Sequence, residues 1–295
     1  MIAKVSRLSK TFGSVSALDQ VSFTLEENKI YGLLGRNGAG KTTLMHLLTA
    51  QLFPTSGTIE VFGESPYEKR RVLEQICFVK ESQTYVRNAR ISDVMDFASL
   101  VFPRWDQRFA RELLHAFRLP TERRIKQLSR GMLSAVGIVL GLASRAPLTI
   151  FDEPYLGLDA ASRTLFYDLL LADYSEHPRT IVLSTHLIDE VNRLLEHIFI
   201  IDQGRLILDD DADNVRGMAY SVSGQDQNVS SFVSGRRVLR DERLGSLRTA
   251  VVMQPLDAGS MKQAAELGLE IQPVSLQQLF VCLTGTNSTE GGDRP

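Results

Sequence analysis

Apolar residues gather along the first two hundred positions in short continuous runs: "VSFTL", "KIYGLLG", "TIEVFG", "QICFVK", "PLTIFDE", "TIVLSTH" and "HIFIID". Runs of this length, bounded by Gly, Pro or charged residues, predict strands. Several are separated by stretches with helical spacing of apolar positions, so the expected fold is α/β with a mostly parallel sheet. Between about 82 and 145 the pattern changes. No strand-like run occurs there, and "DVMDFASLVF" and "RFARELLHAF" repeat at helical spacing, which predicts an all-helical insertion. Its last helix, "LSAVGIVLGLA", is apolar on most of its circumference and is entered through the polar pentapeptide "LSRGM", 128–132. Ser129 there fits an N-cap, and Gly131 a permissive first-turn position.

After "RLILDDDADNV" the pattern shifts again. Short strands ("AYSVSG", "RRVLRD", "TAVVMQP", "LEIQPV") alternate with helices ("AGSMKQAAEL", "SLQQLFVCL"), predicting a small α/β extension over 219–285 of the split βαβ kind. Ser275 and Gln278 have the spacing of a capping box at the last helix. Asp209, Asp210, Asp211 and Asp213 read as a solvated inter-domain link rather than a metal site. The polar, Gly-rich tail 286–295 reads as disordered.

Composition narrows the class. The chain has 295 residues, 43% hydrophobic and 23% charged, the balance of a soluble globular protein. Its net charge of -2 supplies no global field toward nucleic acid, so no nucleic-acid partner is expected. The two cysteines, Cys77 and Cys282, lie in apolar stretches, as expected for reduced, buried thiols of a reducing cytoplasm. The N-terminus "MIAKVSRLSKTFG" carries charges where a signal peptide needs an apolar run. Arg145 and Pro147 divide the most membrane-like window, "MLSAVGIVLGLASRAPLTIF", whereas a spanning helix needs about 20 apolar residues.

Chemistry enters with "GLLGRNGAGKTTLMHLL". Gly35, Gly40, Lys41 and Thr42 have P-loop spacing, with a predicted strand before them and a helix after. In such a loop backbone amides and the helix dipole favour phosphate, the lysine neutralises it, and Thr42 offers a hydroxyl to Mg²⁺. "PLTIFDEP" is an apolar strand ending in Asp152, a candidate magnesium partner, and Glu153, a candidate to polarise an attacking water. "TIVLSTHLIDE" brings His186 to the end of another buried strand, where an imidazole can reach a γ-phosphate or simply be a satisfied structural residue.

Taken in order, the segment 35–43 (Gly35, Arg36, Asn37, Gly38, Ala39, Gly40, Lys41, Thr42, Thr43), "LSRGM", "LTIFDEP", "GLD" at 157–159 and His186 resemble the ATP-binding cassette of ABC transporters over residues 1 to about 210. The resemblance implies a P-loop NTPase with an antiparallel β subdomain, a helical insertion, and ATP and Mg²⁺ as ligands. It makes "LSRGM" the signature sequence, with Ser129 and Gly131 facing the γ-phosphate held by a second subunit. Phe12 matches the aromatic residue that stacks on adenine, with a place in the core as its competitor, and Asp159 matches the acid that links the two sites. The helical insertion is similar to the part that meets the membrane partner, and "VSLQQLFVCLTG" to the C-terminal extension of exporter ATPases with a separate permease. The implied protein is an ATPase subunit, a homodimer or a heterodimer with a paralogous cassette, held at the inner face of the membrane by a transmembrane permease. A soluble regulatory ATPase acting on a ribosome or a DNA-repair complex is the alternative.

Two motifs depart from the family pattern. Arg130 stands in place of the signature's second Gly and Met132 in place of its Gln. Arg130 either strengthens anion binding or faces solvent with the basic run "RRIKQLSR", and the second is expected. The family's magnesium-sensing glutamine aligns with Glu81, while Gln83 lies two residues on. Glu81 still offers oxygen but adds a charge.

Overall fold

The structure is a computed structural model that describes residues 1–81 and 83–285. The tail 286–295, expected to be disordered, and Ser82, at the start of the helical stretch, lie outside the described residues.

The chain opens with β1 (Ala3–Phe12), β2 (Val15–Leu25), β3 (Ile30–Leu34), α1 (Lys41–Leu48), β4 (Ser56–Val61), α2 (Arg70–Leu73) and β5 (Ile76–Val79). The helical stretch follows as α3 (Ile91–Val101), α4 (Gln107–Ala116) and α5 (Arg130–Ala143). Next come β6 (Leu148–Asp152), α6 (Ala160–Glu176), β7 (Thr180–Thr185), α7 (Ile188–Val191), β8 (His197–Asp202) and β9 (Arg205–Asp211). The remainder is α8 (Ala212–Arg216), β10 (Tyr220–Gln225), α9 (Asp226–Val233), β11 (Val238–Leu244), β12 (Leu247–Val252), α10 (Ala258–Glu266), β13 (Glu270–Pro273) and α11 (Leu276–Thr284). Two compact units result: 1–187 with 193–209, and 188–192 with 210 onward.

The first unit holds a six-stranded sheet in the order β5-β6-β7-β3-β8-β9. The pairs β5/β6, β6/β7, β3/β7 and β3/β8 are parallel. Every residue of β3, β6 and β7 is buried, which explains their unbroken apolar runs. In register, Asp152 of β6 sits opposite Ser184 of β7, and Leu34 of β3 opposite Thr185. Loops leaving β3, β6 and β7 therefore emerge side by side at the carboxyl edge, where open α/β sheets place ligands. A second, antiparallel sheet has the order β2-β1-β4. Leu8 and Val21 from it, Leu33 from the large sheet and Met45 from α1 share one buried core.

The stretch from 83 to Ala143 contains helices and no strand among the described residues. Asp106 caps α4 by accepting from the Phe109 amide at 2.9 Å, and Ser129 caps α5 by accepting from Met132 at 3.2 Å. At the C-terminal end of α6 the buried Asp173 carboxylate takes Arg145 at 2.5 Å and Arg179 at 2.7 Å.

The second unit has a sheet in the order β11-β12-β10-β13, antiparallel throughout. β12 lies between β10 and β11, the strands joined through α9, so the unit is a split βαβ arrangement. Tyr220, Val222, Phe232, Ala250 and Val252 form its core. The Ser275 capping box opens α11: Ser275 accepts from the Gln278 amide at 3.2 Å, and the Gln278 side chain accepts from the Ser275 amide at 2.9 Å.

The structure departs from the sequence reading at three points. The aspartate run falls, as expected, where the first unit gives way to the second along the chain, but it is regular structure: Asp209, Asp210 and Asp211 end the edge strand β9, where carboxylates stay solvated while Leu208 is buried, and Asp213 lies in α8. Cys77 is buried as expected, but Cys282 is only half-buried. Strands β1 and β9 and helix α9 were not anticipated. No helix among the described residues is long and apolar enough to cross a membrane.

Candidate functional site

The loop 35–40 leaves the buried end of β3 and turns into α1. Gly40 has φ of 109°, and a Cβ there would lie 2.6 Å from the Ala17 carbonyl oxygen, so both conformation and space require glycine. No side chain caps α1, which leaves its first-turn amides without a side-chain acceptor. Lys41 is buried and its ammonium donates to the loop's own carbonyls, Gly35 O at 2.6 Å and Arg36 O at 3.3 Å. Burial pushes its pKa down, against the opposing pull of Glu153, Asp152 and Glu81. Thr42 follows on the same turn, and its hydroxyl donates to Asp152 Oδ2 at 3.0 Å.

Asp152 and Glu153 are both buried where β6 ends. The chain turns sharply at Glu153, whose φ of 49° is in the left-handed region while its amide bonds Ser184 O at 3.1 Å. Desolvation raises the Glu153 pKa, opposed chiefly by His186 and Lys41. His186, at the end of β7, places Nδ1 2.8 Å from Glu153 Oε2 and leaves 52% of its side chain exposed. Two of the three residues expected to serve catalysis, Glu153 and His186, thus touch across adjacent strands, while the third, Glu81, lies in the loop after β5.

The remaining candidates are placed less tightly. Phe12 ends β1 and is 47% exposed, so it is not a core residue; the Lys10 ammonium sits 5.0 Å from its ring centroid. Asp159 caps α6, accepting from the Ser162 amide at 2.8 Å, a bond that lowers its pKa. Gly131 has a local reason to be glycine, since a Cβ there would come within 2.4 Å of Gly157 O. Arg130 is 69% exposed, as expected of a solvent-facing residue, yet its guanidinium pairs with Glu81 at 3.4 Å, which the sequence did not suggest. Glu81 and Gln83 line one cavity of about 250 Å³ together with Arg130, Ser134 and Glu153. Both candidates for the magnesium-sensing position therefore reach the same cleft.

Sequence reasoning missed Tyr155. Its buried hydroxyl contacts Glu153 Oε2 and lies 3.1 Å from His186 Nδ1. In "FDEPYLGLD" it reads as one more apolar residue.

The sequence profile of ABC transporters matches residues 18–156. The chain is 33% identical over 299 aligned residues to the Nod factor export ATP-binding protein I of Sinorhizobium fredii, covering 96% of this chain and 85% of that one. It is 31% identical over 236 residues to the bacitracin transport ATP-binding protein of Bacillus licheniformis, covering 77% of each. A solved ATP-binding subunit of an ABC transporter shares the fold, with a TM-score of 0.68 at 24% identity over 73% of this chain and 92% of its own. With its P-loop, paired acids and histidine assembled at one sheet edge, the chain belongs to the ATP-binding proteins of the ABC transporter family and is an ATPase.

Proposed function

We propose that this chain is the ATPase subunit of an exporter, working as a cassette dimer beneath a separate transmembrane permease at the inner face of the membrane. The observation that carries the reading is the placement of the two adjacent acids: Asp152 on the Thr42 hydroxyl and Glu153 on His186. One position is built to hold a cation beside phosphate, the other to take a proton from water.

The segment 35–43 receives the triphosphate through its amides, and Lys41 exchanges its two loop carbonyls for phosphate oxygens. Phe12, exposed at the end of β1, offers a ring face to adenine. Thr42 and Asp152 fit Mg²⁺, for their hydroxyl and carboxylate are hard oxygen donors 3.0 Å apart. Bound Mg²⁺ would neutralise charge on the phosphates. Glu153 polarises the attacking water, and its raised pKa improves it as a base. His186 and Glu81 serve the γ-phosphate side of the cleft. Ser129 and Gly131 complete the partner's site and Asp159 links the two; the same assignment in reverse completes this one.

Residues 1–210 are thereby assigned as the ATP-binding domain, with 82–145 its helical subdomain and 219–285 a C-terminal extension like that of exporter ATPases. An apolar cavity of about 510 Å³ on the helical stretch, lined by Tyr85, Val86, Phe97 and Val101, supports docking of a permease there. Phe97 is 68% and Leu100 85% exposed on the same helix. The bacitracin and Nod factor relatives support export as the direction.

Affinity capture of a Glu153→Gln chain from solubilised membranes in ATP tests this. Co-purification of a polytopic membrane chain supports the proposal, while capture of ribosomes or DNA-repair proteins from the soluble fraction would replace it by the regulatory alternative.

A further inference from the structure

The hydrogen bonds around Tyr155 give the base more structure than the pairing of Glu153 with His186 alone. The Tyr155 hydroxyl oxygen accepts from the His186 amide at 3.0 Å and from the Thr185 hydroxyl at 2.9 Å. Thr185 is itself fixed, because its oxygen accepts from the Leu187 amide at 2.9 Å. Two donors fill the acceptor capacity of the phenol, leaving only its own proton to place. Glu153 Oε2 lies in hydrogen-bond contact and takes it. His186 Nδ1 then finds no free acceptor on Tyr155, although the two atoms are 3.1 Å apart, and it donates to Glu153 Oε2 at 2.8 Å. The count thus assigns the proton of His186 to Nδ1 and gives Oε2 two donors. Among the described residues no protein group bonds Oε1.

We infer that Tyr155 is a positioning residue for hydrolysis: through its hydroxyl and His186 it locks Oε2 of Glu153, so that Oε1 is the oxygen presented to the attacking water. A phenol with four polar neighbours stands at a position where packing alone would accept phenylalanine. The bond also has leverage. Glu153 sits at a left-handed turn, φ 49°, and a freed carboxylate there rotates about its own side-chain torsions. Orientation of a reacting group governs turnover far more than it governs substrate binding.

This inference rests on Glu153 being the base, and the test separates the two. Tyr155→Phe keeps the ring and removes the hydroxyl, and Tyr155→Ala removes both. The positioning role predicts that Tyr155→Phe lowers kcat about tenfold while KM for ATP stays within about twofold. A packing role predicts that Tyr155→Phe turns over like the parent and only Tyr155→Ala fails, and that result would overturn the inference. If Glu153→Gln hydrolyses at the parental rate, the reading of the base falls instead. A second readout needs no turnover: ¹⁵N spectra of the histidine rings in the unliganded full chain, with His186 assigned from a His186→Gln variant. The expected ring carries hydrogen on Nδ1, and a bare Nδ1 with hydrogen on Nε2 alone would contradict the inference.

Discussion

Arg130 Nη2 lies 3.4 Å from Glu81 Oε1, joining the first helical residue of α5 to the loop that follows β5. Each is expected to depart from the family pattern, Arg130 in the proposed signature and Glu81 at the proposed magnesium-sensing position, and their charges are opposite. With Arg130 69% and Glu81 49% exposed, the pair is worth about 1 kcal/mol or less. A double-mutant cycle in urea with Arg130→Ala and Glu81→Ala should find coupling no larger than that, and coupling above about 2 kcal/mol would show a buried pair instead.

Turnover should be more sensitive than stability. The Glu81 charge acts on Lys41 in the P-loop, a pull that the neutral amide of Gln83 cannot exert. Glu81→Ala is therefore expected to lower the magnesium-dependent rate more than Gln83→Ala does. An effect of the Gln83 substitution alone would move the sensing position two residues along the chain.

Asp173 is the structural counterpart. Its carboxylate is 2% exposed and serves two arginines, Arg145 and Arg179, themselves largely buried. Asp173→Ala strips the buried Arg179 of its counter-charge and leaves Arg145 only Asp106, at 3.1 Å, so a loss of about 3 kcal/mol in urea unfolding is expected. A loss below about 1 kcal/mol would mean that water reaches the pair.

Burial pushes the Cys77 thiol up to about 11. At about pH 8 only about one molecule in a thousand then carries the thiolate, the form that alkylates. Iodoacetamide should modify Cys282 in the folded protein and reach Cys77 only after denaturation, as peptide mass mapping would show. Equal labelling of both would place Cys77 at the surface.

The signature face admits a sharper test, because Ser129 already has an occupation as the cap of α5 and Gly131 as a close neighbour of Gly157. Loss of a cap costs about 1 kcal/mol and leaves a subunit's own P-loop untouched. In a mixture of Lys41→Ala and Ser129→Arg subunits, one composite site carries both lesions and the other carries none. Recovered ATPase activity, absent from either homodimer, is the expected result. Parent-level activity in folded Ser129→Arg homodimers would leave "LSRGM" a cap and nothing more.

The site was legible in sequence wherever chemistry fixes spacing. A phosphate cradle needs Gly35, Gly40, Lys41 and Thr42 at set intervals, and a buried strand must end before it can expose Asp152. What pairs across the fold was not legible. Arg130 and Glu81 stand forty-nine residues apart, and Tyr155 is indistinguishable from a packing residue until β7 is laid beside β6. Strand β1 escaped because register shifts between Val5 and Leu8 and between Leu8 and Lys10 break its alternation. Strand β9 escaped because an edge tolerates consecutive aspartates that a central strand would not.

The central claim is that Glu153 drives hydrolysis at a site closed by a second subunit, and the Glu153→Gln chain addresses it most directly. The amide keeps the shape of the carboxylate and loses its basicity. On a sizing column with ATP and Mg²⁺, matched to a turnover assay, the account predicts an ATP-dependent dimer with turnover reduced at least about a hundredfold. A variant that stays monomeric in ATP, or hydrolyses it at the parental rate, would contradict the account.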